Sequence, residues 1–389
     1  MTHRKSLFFP ARPPSRSRLS AGRVGFLLAS SFCFLLVLRN ADAAVSYMGR
    51  GLSLCARTVI PSLFPFMVVS EMLVASGAGE ALGRLFARLM RRVFGLSGAG
   101  ASALFLGSMC GFPVGARTAV SLLDQGAISK AECEHLLTFT CNPSSAFLIT
   151  AVGVSLYGSR GLGVTLYGVV LGCGLLTGFL ARFFLRRHEP AERPHFPSGL
   201  RPIGMETFTG AVSTAATGML TVCAYVVFFS ALTGALECMA KGWSGLGGRG
   251  YTLLCGILEM TGGISEAASL GGNAGLICTA AFAGWSGLSV HCQVMTLCGG
   301  RGLSFKPYLM AKAFQGILCG GVTAVILRWF PAIMRPAEGM ITDAILVFTS
   351  MKDISLPALI TDGGFVAGWI LSRVEGWKRA DGSGYTEHI

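Results

Sequence analysis

Gly111-Phe112-Pro113-Val114-Gly115-Ala116-Arg117 and Trp285-Ser286-Gly287-Leu288-Ser289-Val290-His291-Cys292-Gln293 are two interrupted apolar stretches that between them specify the fold. Each lies inside an apolar region and is crowded with residues that interrupt a helix. Each carries an ionisable side chain, Arg117 or His291, at the same offset. Backbone that unwinds at membrane depth must face protein or a water-lined cavity, because lipid cannot satisfy its amides and carbonyls. Paired broken helices in two halves of a hydrophobic chain mark the binding site of a transporter.

The composition sets this reading in a membrane. Of 389 residues, 52% are hydrophobic and 13% charged, against about 25% charged in soluble domains, and the mean hydropathy is +0.61. The fold class expected is all-α: a polytopic membrane protein with two pseudo-repeats containing broken helices and re-entrant hairpins. The net charge of +13 comes from arginines and lysines at segment ends, where they act as topology signals. No nucleic-acid motif accompanies them, so the bilayer is the expected partner and nucleic acid is not. The thirteen cysteines are scattered through apolar runs without C-x-x-C. They read as small hydrophobes, with no metal and no cofactor expected.

Residues 1–23 are a basic, cytoplasmic N-terminus. The run Val24–Leu38, followed by Ala41-Asp42-Ala43, resembles a signal peptide but reads better as an uncleaved first membrane helix. Pro61 and Pro65 predict a kink within 51–78. In 80–94, Arg84, Arg88, Arg91 and Arg92 alternate with Leu85, Phe86, Leu89 and Phe94, the pattern of an interfacial amphipathic helix. The halves of 99–125 on either side of Gly111-Phe112-Pro113 are each too short to span, which predicts a re-entrant hairpin. Ser129-Lys130-Ala131-Glu132 is a capping box, and Asn142-Pro143-Ser144-Ser145 interrupts the helix it opens. The first membrane half covers 24–187, a Pro- and Arg-rich cytoplasmic linker 188–205, the second half 206–335, and a C-terminal segment and tail 336–389.

Aligning Gly111–Phe139 with Trp285–Phe314 places Arg117 on His291 and predicts an internal repeat. Glu71, Arg117, Glu259 and His291 are then ionisable groups at membrane depth. A charge there costs at least about 2.5–3.5 kcal/mol on insertion scales, so each needs a partner or a polar cavity. Arg117 is the expected clamp for an anion, its planar fork matching a carboxylate; Glu71, Glu259 and His291 are expected to relay protons or bind a coupling ion. A purely structural pair such as Arg117–Glu259 is the competing reading. Asn142, Ser144, Ser145, Thr261, Ser286, Ser289 and Gln293 sit in or beside the breaks and complete the substrate-binding set. Gly284-Trp285-Ser286-Gly287 matches the G-x-S-G of intramembrane serine proteases, but Gly242-Trp243-Ser244-Gly245 matches equally well. No HExxH, P-loop or dinucleotide fingerprint is present, so no enzyme is expected.

Several motifs resemble those of the YlbJ-type sporulation integral membrane proteins, in the nucleoside-recognition or Gate-domain group. They are Pro61-Ser62-Leu63-Phe64-Pro65-Phe66 with Ser70-Glu71-Met72-Leu73, Gly107 through Ala116, Leu122 through Leu137, Leu258 through Gly263, and Gly287 through Gln293. The likeness spans about 48 to 330. It departs from the family at Arg117, where Lys is frequent, at Asn142-Pro143-Ser144-Ser145, and in the long basic N-terminus. What the resemblance implies is a role in spore formation, moving dipicolinic acid across the outer forespore membrane. A non-transporting scaffold for spore-envelope assembly and a carrier of nucleosides or other small solutes are the alternatives, and a homo-oligomer is compatible with each.

Overall fold

The computed structural model describes residues 21–185, 204–241 and 248–329. The basic N-terminus, most of the linker, the Gly242–Gly245 motif and the C-terminal segment expected above lie outside these residues. The described chain is helical, and four of its helices are long and apolar enough to cross a membrane, or five if one bent pair counts as a span.

Helices α1 (Ala21–Arg39) and α2 (Ala41–Leu54) form that pair, bent by 95°. α2 runs through a π-helical turn at Cys55–Val59 into α3 (Ile60–Ala75). Pro61 supplies no amide and its ring crowds the preceding carbonyls, which accounts for the widened turn just before it. α4 (Ala78–Leu89) and a second π turn, Met90–Phe94, make the basic amphipathic segment. Leu85 and Leu89 are exposed beside the arginines, and Arg182 reaches this segment through the Arg92 carbonyl at 2.6 Å. These contacts define a basic face.

α5 (Gly100–Cys110) and α6 (Phe112–Asp124) fold back on each other at Gly111, whose φ of +96° suits only glycine. A side chain at Gly107 or Gly115 would strike both the facing helix and the Thr140 carbonyl, so these glycines let the arms close. The expected re-entrant hairpin is therefore present, entering from the basic face. α7 (Lys130–Thr140) opens with the expected capping box and breaks at Asn142-Pro143. It resumes as a π-helical stretch, Phe147–Leu156, that emerges on the opposite face. α8 (Arg160–Phe184) returns to the basic face, and α9 (Met205–Lys241) crosses again, antiparallel to α2 and α3.

A second hairpin enters from the opposite face: α10 (Gly248–Leu258) and α11 (Met260–Leu270), folded at Glu259 with Gly256 and Gly263 at the waist. α12 (Gly272–Trp285) and α13 (Gly287–Cys298) then form one interrupted span back to the basic face, and α14 (Lys306–Trp329) crosses once more.

The repeat register predicted from sequence is not reproduced. α5 and α6 pack side by side around Gly111, whereas α12 and α13 run end to end around Ser286. The hairpin in the second half that resembles the Gly111 hairpin is the one folded at Glu259, and the break that resembles Trp285–Gly287 is Asn142–Ser144. Similar breaks in an apolar sequence align readily. Which break folds back is decided by glycine pairs at the waist, Gly107 with Gly115 and Gly256 with Gly263.

Candidate functional site

Each hairpin tip packs on the break of the interrupted span in its own half. A Cβ on Gly111 would lie 3.2 Å from Ser144, and one on Gly287 would lie 2.8 Å from the Met260 amide nitrogen. Between the tips lies a cavity of about 30 Å³, room for roughly two waters at 10–15 Å³ each. Its walls come from the first tip (Gly111, Phe112, Pro113), the first break (Pro143, Ser144), the second tip (Glu259, Met260, Thr261) and Gln293 of α13. Val59, Leu63, Val222 and Val226 close the sides.

Of the residues expected at the site, Ser144, Glu259, Thr261 and Gln293 line this cavity. The Glu259 carboxylate is buried and caps α11, accepting from the Thr261 amide at 2.9 Å and the Gly262 amide at 2.6 Å. By contrast, the N-termini of α6 and α13 have no side-chain cap. At α6, Pro113 carries no amide hydrogen and the Val114 amide donates to Gly111 O at 3.2 Å, so only the Phe112 amide is left there for an anion, whereas α13 opens without a proline. Gln293 is 3% exposed. Its Nε2 makes a long bond to Ser289 Oγ at 3.4 Å, and its Oε1 has no partner. A buried unsatisfied acceptor costs about 1–3 kcal/mol, which makes this acceptor, on a cavity-lining residue, a candidate ligand contact.

The remaining expected residues lie elsewhere. Asn142 turns away from the cavity, its Nδ2 donating to Phe139 O at 2.8 Å. Ser145 donates to Met109 O at 3.2 Å, tying the first break to α5. Ser286 holds the left-handed turn between α12 and α13, at φ 74°, and faces Ala283 O. His291 shares a 3.0 Å hydrogen bond with Tyr308 and packs edge-on against Trp285. Ser286 and His291 therefore engage different partners and do not form a nucleophile–base pair.

Arg117 does not reach the cavity. It pairs with Glu71 at 2.8 Å and donates to Thr214 O at 3.2 Å. The competing structural reading named Glu259 as its partner; the partner is Glu71. The pair nonetheless belongs to the same column. Along α3, Leu63, Met67 and Glu71 recur every four residues, and along α9 so do Val226, Val222, Gly218 and Thr214, which places them on one face. Cys110, Met67, Val114 and Met219 fill the interval. A side chain on Gly218 would meet Met67 at 2.8 Å and Arg117 at 3.4 Å, so glycine there seats the ion pair across the column. Toward the opposite face, Tyr47 of α2 donates to Glu237 of α9. The Arg50 guanidinium lies 4.7 Å from the Tyr47 ring, and Glu266 of α11 is within electrostatic range of both charges. Polar clusters thus close the column on both sides of the cavity.

One buried charged residue beside the site went unread in the sequence. Lys312 of α14 is fully buried and donates to Cys141 O at 2.8 Å, Asn142 Oδ1 at 3.2 Å and Gln315 Oε1 at 2.9 Å. The available signal was a lysine flanked by Ala311 and Ala313 with Gln315 three residues on, a polar pair on one face of an apolar helix.

The fold and site define a helical integral membrane protein in which two re-entrant hairpins, entering from opposite faces, meet a pair of interrupted spans at a buried cavity. Residues 56–237 match the family model described as Gate, nucleoside recognition. The chain is 30% identical over 342 residues to the sporulation integral membrane protein YlbJ of Bacillus subtilis (strain 168), covering 78% of this chain and 83% of that protein. It belongs to the YlbJ family. No solved structure matches it.

Proposed function

We propose that this protein is a permease for a small organic anion, dipicolinate, and that it works in the outer forespore membrane during sporulation. The observation that carries the reading is the convergence of both hairpin tips and the first break on one cavity, with the second break packed against the second tip. Discontinuous helices meeting at mid-depth are how transporters expose helix termini and backbone groups to a solute. Two hairpins entering from opposite faces also offer a way to open the cavity to one side at a time. The clusters at Glu71–Arg117 and Tyr47–Glu237 are the gates of that cycle, and the positive-inside bias puts the Glu71–Arg117 gate on the cytoplasmic side.

The Phe112 amide at the start of α6 and the N-terminus of α13, which has no side-chain cap, favour a carboxylate, and the apolar walls suit a flat ring. Dipicolinate is larger than the 30 Å³ cavity, so the hairpins part to admit it. The YlbJ relative is named for sporulation, which supports the setting. The test is uptake of labelled dipicolinate into proteoliposomes, with excess nucleoside as competitor. The proposal expects saturable uptake that nucleoside does not inhibit. Uptake abolished by nucleoside would transfer the site to nucleosides, and none from monodisperse reconstituted protein would remove the transport reading.

A further inference from the structure

Lys312 is a cation held inside the membrane by neutral groups. Its three acceptors, the Cys141 carbonyl, Asn142 Oδ1 and Gln315 Oε1, match the three N–H donors of an ammonium. Gln315 Nε2 donates to Asn142 Oδ1 at 2.8 Å and Val170 O at 3.1 Å, which locks both amides with their oxygens toward the lysine. Among the described residues Lys312 makes no ion pair. The nearest negative feature is the C-terminus of α7, whose last carbonyls lose their helical partners at the Asn142-Pro143 break. A helix end offsets only about half a unit charge.

Arg117 is cancelled by Glu71. The Glu259 carboxylate, like Lys312, is held by neutral groups, the amides that open α11, and it lines the cavity at the second hairpin tip. Lys312 therefore places a positive charge immediately behind the Pro143–Ser144 wall of the cavity, and Glu259 a carboxylate on the wall formed by the second tip.

We infer that Lys312 sets the charge selectivity of this site: it is the fixed counter-charge for an anionic solute, acting across the wall it also holds in place. The inference rests on the permease reading and moves the role expected of Arg117 to a residue on α14. It makes the solute a carboxylate in preference to a neutral molecule of the same shape. At a separation of roughly 8 Å and an effective dielectric near 20, one unit charge is worth on the order of a 30-fold change in affinity.

The experiment compares uptake of dipicolinate with that of its neutral diamide in proteoliposomes of wild type, Lys312→Gln, Lys312→Arg and Asn142→Asp. Lys312→Gln is expected to lower the preference for the dianion by about 30-fold, by raising its KM and leaving that of the diamide unchanged. Lys312→Arg keeps the preference. Asn142→Asp retains the lysine but cancels its charge, and loses the preference as Lys312→Gln does; it carries the test should Lys312→Gln not fold. A merely structural lysine would shift both solutes together, and that result, or an unchanged preference in both charge-cancelling variants, overturns the inference. Failure of wild type to move dipicolinate is a separate outcome, which sinks the permease reading and this inference with it.

Discussion

Replacing Arg117 with methionine should open the basic-face side of the column. The pair it breaks lies at 2.8 Å, with side chains 25% and 21% exposed. At that distance the attraction is about 6 kcal/mol for an effective dielectric of 20, before desolvation and side-chain ordering are subtracted. Exposed pairs retain about 0.2–1 kcal/mol and breaking fully buried ones costs about 3–5 kcal/mol. A pair this far exposed falls near the low end, at about 1.5 kcal/mol, or roughly a tenfold change in the open population. Arg117→Met should act more strongly than Glu71→Gln, because it leaves a carboxylate and the Thr214 carbonyl without their donor. The exchanged pair Glu71→Arg with Arg117→Glu should restore closure in part. Cys110 reports on the interval between pair and cavity: it is buried, and its sulfur accepts from Ser70 at 3.0 Å. Alkylation of Cys110 by a water-soluble maleimide, followed by mass spectrometry of its peptide, should accelerate about tenfold in Arg117→Met, for about 1.4 kcal/mol per decade. Cys133, fully buried in the main core, should not respond. Unchanged Cys110 reactivity in both single variants would refute the gate, and a parallel rise at Cys133 would show general loosening instead.

Other expectations follow from the same geometry. Gly111→Ala forces a side chain into a backbone region costing about 1–3 kcal/mol and against Ser144; thermal unfolding should show the loss, with uptake reduced further. Gly263→Val should be worse, because the Gly256 backbone occupies the space. An unaltered melting temperature would contradict the close hairpin waist. Gln293→Leu removes the unpartnered acceptor and should leave stability unchanged or raise it by about 1 kcal/mol while weakening dipicolinate uptake; uptake at the wild-type level would take Gln293 out of the site. Outside the membrane, Arg301 grips Asp124 with two 2.7 Å bonds, and that hydrogen bonding, foremost, holds the Asp124 carboxyl below its ordinary range. Its stabilisation is therefore present above the unfolded value of about 3.9 and lost as pH falls through the lower folded value. Both groups are a third to a half exposed, so the difference between wild type and Asp124→Asn should stay below about 1 kcal/mol at neutral pH and vanish in acid. A difference that grew on acidification would contradict the assignment.

The sequence made the local devices legible. Ser129 and Glu132 announced their capping box, and Gly111-Phe112-Pro113 its hairpin, because those signals are carried by residues next to each other. Pairings across the fold were not. Nothing near Arg117 says that Glu71, rather than Glu259, supplies its counter-charge, and nothing near Trp285 says that its break stays within a span. Lys312 was missed because a lysine less than two turns into a helix opened by Lys306 resembles a residue that reaches back to the membrane interface. Its burial depends on α7 ending against it with bare carbonyls. Four of the expected site residues, Ser144, Glu259, Thr261 and Gln293, do line the cavity. They are the ones whose place is fixed by the breaks themselves, and the charged residues one or two turns along were drawn to partners elsewhere.

If the solute binds where the two hairpins meet, a structure of the reconstituted protein determined with dipicolinate will hold the ring between Gly111–Pro113 and Glu259–Thr261, with a carboxylate at the start of α6 or α13 and Gln293 in contact. Dipicolinate bound elsewhere, as in the groove between Thr177 and Phe184 of α8 and Lys306 to Phe314 of α14, with the central cavity still about 30 Å³, would contradict it.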